Sequence, residues 1–143
     1  MTKTTVTAFI FHENKLLLVF HKKLQCWMHV GGHVEKNESL EVALKREIKE
    51  ETGLSVKIID SYSSNVIIDE SNAIPLLIQE NIDDISIDYV CKVIGKSDVI
   101  LQGSELTEYK WIKESEIDSI DTFPLLKRLA KEAFKIYTKS QEK

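Results

Sequence analysis

At 143 residues, with 43% hydrophobic and 29% charged side chains, the chain can bury a core and is too apolar for global disorder. A formal net charge of −4 argues against a protein that coats nucleic acid polymers, although a small nucleotide needs only local cations. The two cysteines, Cys26 and Cys91, show neither a disulfide framework nor metal-ligand spacing; Cys91 reads as buried and Cys26 as exposed in a loop.

No window approaches the ~18 apolar residues of a membrane span. The opening MTKTTVTAFIFHENK lacks a cleavable apolar segment, so the expected setting is cytoplasmic, with no membrane partner. Thr4 to Phe11 and Lys15 to Phe20 are rich in β-branched and apolar residues, and His12-Glu13-Asn14 between them predicts a hairpin turn. His21, Lys22 and Lys23 close the second strand, and their plain reading is a basic, solvated strand end. Val30-Gly31-Gly32 predicts a glycine turn that lets backbone approach a ligand closely.

A helix follows, with Asn37 as N-cap, Glu38 in its first turn and Gly53 at its left-handed stop. At about 100° per residue, Leu40, Leu44 and Ile48 form a stripe that faces a core. Glu47 and Glu51 point within roughly 20° of Leu40, inside that stripe, and Glu50 lies beside it. Carboxylates pressed against a packing face repel one another and lose hydration, so they need a cation. A hard divalent metal takes oxygen ligands of this kind. The competing reading is an amphipathic helix whose glutamates pair with lysines.

A strand is predicted from about Leu54 to Tyr62, then further sheet around Val66 to Ile68 and Leu76 to Gln79, with Pro75 at an edge. Ile85 to Ile94 reads as a buried strand and Tyr109 to Ile112 as another. Asp88, inside the first of these, needs a hydrogen-bond partner or a role in substrate recognition. Phe123-Pro124 opens a last helix, packed through Leu125, Leu129, Ala133 and Ile136. Trp27, Tyr62, Tyr109 and Phe123 are candidates for base stacking or core packing, and His29 and His33 flank the glycines. The element order predicts one α/β domain over residues 1–143, a sandwich built on a mixed sheet.

Residues 32 to 54, GHVEKNESLEVALKREIKEETGL, resemble the signature of the Nudix hydrolase family, G-x5-E-x7-R-E-U-x-E-E-x-G-U with U a bulky aliphatic. Gly32, Glu38, Arg46, Glu47, Ile48, Glu50, Glu51, Gly53 and Leu54 satisfy every fixed position. Val30 stands where many relatives have proline. The resemblance implies an α/β/α sandwich with the mixed sheet between helices. It implies a pyrophosphohydrolase that cleaves the diphosphate linkage of a nucleoside triphosphate or related nucleoside diphosphate derivative by water attack. Glu47, Glu50, Glu51 and the Gly31 carbonyl would bind Mg²⁺ or Mn²⁺, and Arg46 would hold the glutamates in place. Glu38 and Gly53 would be structural, Gly32 would approach substrate, and His21, Lys22 and Lys23 lie where relatives carry a basic residue that binds phosphate. Glu47 is one candidate general base; Glu105, in GSELTEYKWI, resembles a later glutamate that serves some relatives, and Glu108 competes with it.

The family's ADP-ribose hydrolases carry a proline downstream of the box, where this chain has Glu70 and Pro75 comes too late. Diadenosine-polyphosphate hydrolases carry a tyrosine in a similar window, where this chain has Ser71 and Asn72. A monomer or homodimer acting on a small nucleotide is expected. The alternative is a nucleotide-sensing module that keeps the fold without turnover.

Overall fold

Alternation along one central strand organises the molecule, whose computed structural model describes residues 4–61 and 85–142. β1 (Thr4–His12) turns into β2 (Lys15–His21) through Glu13 and Asn14, at φ 49° and 66°. His12 pairs with Lys15, so these two left-handed residues form a tight hairpin matched to the strand twist. β3 (Cys26–Met28), β4 (Val30–His33), α1 (Leu40–Thr52), β5 (Ser55–Ser61), β6 (Ile85–Ile94) and β7 (Leu106–Ile112) follow. A 3-10 helix (Glu114–Ser119) leads into α2 (Pro124–Gln141), which opens with Pro124 at its first turn.

β1 runs parallel to β6 and antiparallel to β2 and β4, β5 lies beyond β6, and β2 also carries β3 and β7. The sheet is therefore mixed. Val6, Ala8 and Ile10 of β1 pack with Ala43, Leu44 and Ile48 of α1. Phe9 and Phe11 point the other way, onto Leu126, Leu129, Ala133 and Phe134 of α2. The Phe11 ring stacks on Tyr137 at 4.4 Å and meets the edge of Phe134 at 4.9 Å. The result is an α/β/α sandwich with the sheet between the two helices.

Several local expectations change. The glycine pair lies within β4 rather than in a turn, because Gly31 and Gly32 stand in antiparallel register opposite Thr7 and Val6. Asn37 adopts φ 68°, a left-handed value that asparagine tolerates, and does not cap α1. Ser39 is the N-cap instead, its extended backbone placing Oγ to accept from Val42 N at 3.2 Å, so Glu38 precedes the helix. Cys26 is buried in β3, not exposed in a loop. β7 begins at Leu106, earlier than Tyr109. In α2 the buried stripe is Leu126, Leu129, Ala130, Ala133, Phe134 and Tyr137, with Leu125 and Ile136 at its margins. Tyr62, the sheet expected between Val66 and Gln79, and the positions Glu70, Ser71, Asn72 and Pro75 lie outside the described residues.

Candidate active site

Two glycines bring β4, β1 and α1 into close approach. A side-chain carbon on Gly31 would overlap the Val6 carbonyl and the Thr7 backbone. One on Gly32 would overlap the Glu47 carboxylate, which lies directly above that residue. α1 arrives over β4 with its cap at Ser39 and leaves at Gly53, whose φ of 76° lets its N–H reach the Lys49 carbonyl at 2.9 Å. The burial of Ala43, Leu44 and Ile48 against β1 fixes the helix rotation, which turns Glu47 and Glu51 toward the glycine strand.

Arg46 ties this rim together. Its Nε and Nη2 donate to the Glu38 carboxylate at 2.6 and 3.0 Å, a two-pronged pair that suits the planar guanidinium. Nη1 donates to Glu47 at 3.0 Å and to both oxygens of Glu50 at 3.3 Å, and Nη2 also reaches the His33 carbonyl at 3.1 Å. Glu35 adds a further carboxylate at 3.7 Å. Glu38 accepts from Glu35 N at 2.9 Å as well, which fastens the segment between β4 and α1. Donation from Arg46, then from the Glu35 amide, holds the Glu38 carboxyl below its usual range. Arg46 in turn is held more firmly protonated, above all by Glu38.

Glu51 has a different environment. Its Oε1 accepts from Gly31 N at 3.0 Å. Burial raises its carboxyl to about 7; the Gly31 amide opposes this, and the charges of Glu47, Glu50 and Glu105 add to it. Glu47 is raised too, mainly by burial, with Arg46 pulling the other way. Glu50 is more than half exposed.

A cavity of about 300 Å³ opens beside these carboxylates, with Glu51, Gly31 and Gly32 on one wall and His21 and Glu105 on another. His21 Nε2 lies 3.5 Å from the exposed Glu105 carboxylate, and its Nδ1 accepts from Leu24 N at 3.2 Å. Lys22 N donates to the Glu105 carbonyl at 2.7 Å, which holds the approach to β7 against the end of β2. Lys22 and Lys23 themselves stand exposed on the turn and do not line the cavity. Glu108 is exposed on β7 opposite Phe20, also outside the lining.

The aromatics divide similarly. Trp27 meets Phe20 edge-on at 5.4 Å and lies under Lys110 Nζ at 4.1 Å, Phe123 packs against the α2 core, and Tyr109 is exposed. The sequence reading did not single out Thr5 and Thr7, which also line the cavity. Their signal was present: threonines at alternate positions in an apolar strand put hydroxyls on one face. Asp88 finds its partners there, accepting from the Thr7 hydroxyl and lying 3.3 Å from His29 Nε2.

The oxygen-only set of Glu47, Glu50 and Glu51 has the chemistry of a hard divalent cation site. Among the described residues, however, no three acidic, histidine or cysteine side chains already stand as a coordination shell. Glu47 and Glu50 both accept from Arg46 Nη1, and their remaining lone pairs are available to an ion.

Fold and rim together define a family. Residues 1–139 match the model described as the NUDIX domain, and the chain belongs to that family. It is similar to a NUDIX-family hydrolase of known structure from Clostridium perfringens, at 25% identity and TM-score 0.74, covering 94% of this chain and 97% of that one. Over 65 residues it is 45% identical to an ADP-ribose pyrophosphatase from Methanocaldococcus jannaschii, a match spanning 41% of this chain and 38% of the relative. A third likeness is to an 8-oxo-dGTP diphosphatase from Buchnera aphidicola, 38% identical over 55 residues, 36% of this chain and 42% of that protein. The matched region thus spans less than half the length of these curated relatives. Among the described residues, no helix is long and apolar enough to cross a membrane.

Proposed function

We propose that the protein is a metal-dependent pyrophosphohydrolase that cleaves the diphosphate linkage of a nucleoside triphosphate or related nucleoside diphosphate derivative by water attack. One observation carries this reading. Arg46 clamps Glu38, Glu47 and Glu50, Glu51 of the same helix lines a cavity shared with Glu105, and burial raises both Glu47 and Glu51. Family membership and the named activities of the relatives support it.

Glu47, Glu50 and Glu51, with the Gly31 carbonyl, are the groups that would hold Mg²⁺ or Mn²⁺. When bound, such an ion neutralises phosphate oxygens and lowers the pKa of its water. Arg46 acts through the glutamates it orients and is a positioning residue. Glu105, facing the cavity and steadied by His21, is the proposed acceptor of the water proton, with Glu47 as the competing candidate. Gly32 and His21 border the space proposed for the phosphates. Glu38 braces the segment before α1, and Gly53 ends the helix.

Release of phosphate and pyrophosphate from nucleoside triphosphates, nucleotide sugars and dinucleotides, with Mg²⁺ or Mn²⁺, tests the proposal. Glu47→Gln and Glu50→Gln should each lower kcat/KM by more than the roughly 10–100-fold typical of an outer-shell change. Full turnover by either variant would contradict it. Tight nucleotide binding by the wild type without phosphate release would favour the sensing module.

A further inference from the structure

Below the carboxylate rim, the floor of the same cavity carries a buried polar group that the hydrolytic chemistry does not use. β1 and β6 pair in parallel with Thr7 opposite Asp88, so both side chains emerge on the face where Phe9 packs. Asp88 is 2% exposed and His29 6% exposed. Asp88 Oδ1 accepts from the Thr7 hydroxyl and lies 3.3 Å from His29 Nε2. A buried carboxylate oxygen in that position calls for the ring proton on Nε2. With the single ring proton on Nε2, Nδ1 is a bare acceptor. It is buried and has no partner among the described residues. The Phe9 ring, 4.7 Å away, supports the imidazole and offers it no donor.

We propose that His29 determines substrate specificity by accepting a hydrogen bond from an uncharged donor on the nucleoside part of the substrate, with Asp88 and Thr7 holding the ring in place. This rests on the pyrophosphohydrolase reading, since the same cavity would seat the phosphates beside Glu51 and Glu105. Thr7, whose hydroxyl hydrogen is engaged by Asp88, adds a second acceptor to the floor. The donor is a sugar hydroxyl or an exocyclic amine, because both present an uncharged N–H or O–H. An unmet buried acceptor costs about 1–3 kcal/mol, so a substrate that supplies the donor gains over one that lacks it.

The test compares kcat/KM of the wild type and His29→Phe for ATP against dATP, ATP against purine riboside triphosphate, and GTP against ITP. The wild type should favour the donor-bearing member of at least one pair by about tenfold or more. His29→Phe should bring that ratio close to one by lowering only the donor-bearing member. Collapse in the ATP/dATP pair assigns the hydroxyl, and collapse in either other pair assigns the amine. Unchanged ratios in a folded variant, or an equal fall for both members, would overturn the proposal.

If the wild type hydrolyses none of these, the activity reading fails and calorimetric affinities for the matching diphosphates decide the inference. A preference lost in His29→Phe supports it, and its absence in the wild type overturns it. Nitrogen-15 spectra of wild-type His29 need no variant. Nδ1 should shift from the bare-acceptor range toward the hydrogen-bonded range on saturation with the preferred diphosphate, and a static shift would overturn the proposal.

Discussion

Gly31 and Gly32 are neighbours with unlike obligations, and substitution separates them. Alanine at Gly31 would meet the backbone of β1, which cannot yield without breaking the β1–β4 pairing. Alanine at Gly32 would first meet the end of the Glu47 side chain, which can swing away. Gly31→Ala is therefore expected to lower the melting temperature markedly. Gly32→Ala should keep the fold but displace Glu47 and lose about tenfold or more in kcat/KM. Thermal melts and steady-state kinetics on the two variants check this; equal melting temperatures with equal activities would contradict it. In the sequence the pair was visible only as a place where backbone comes close. Which neighbour each glycine answers to depends on strand register, which residue spacing does not reveal.

At the scale of elements, α1 was the most legible part of the chain. Its apolar stripe, its Gly53 stop and the inward bias of Glu47 and Glu51 all follow from helical periodicity. Its start was misjudged because Asn37, Glu38 and Ser39 all suit a helix N-terminus, and only the backbone distinguishes left-handed Asn37 from extended Ser39. Ser39→Ala should accordingly cost about 1 kcal/mol, read as a lower melting temperature, whereas Asn37→Gly should cost little. A larger loss from the Asn37 change would reverse the assignment. β3 and β4 were missed for a physical reason: they are short, and β4 contains two glycines that carry no strand preference of their own. Neighbouring strands create them.

Across the whole molecule, alternation in β1 separates two cores, one under α1 and one under α2, and the acidic rim belongs to the first. Within that rim the buried Glu51 opposes folding when it is ionised. The folded Glu51 carboxyl is raised from 4.5 to about 7, so the folded state holds its proton more tightly than the unfolded chain does. Its contribution to stability is full below about 4.5 and is lost as pH rises through about 7. The metal-free melting temperature should fall across that interval. Added Mg²⁺, binding the ionised form, should raise it more at about pH 8 than at about pH 5. An equal increment at both values would contradict the role given to Glu51. The order of elements and the site's acidic half could be read from the chain, whereas the Thr7–Asp88–His29 floor joins positions far apart in sequence and needed the parallel register of β1 and β6.

Manganese uptake followed by electron paramagnetic resonance, on the wild type beside Glu47→Gln and Glu50→Gln, bears most directly on the claim that these carboxylates hold a divalent ion. Saturable loss of the free-ion signal with the wild type, and much weaker uptake by both variants, is the predicted result. No uptake by the wild type, or equal uptake by all three proteins, would contradict it.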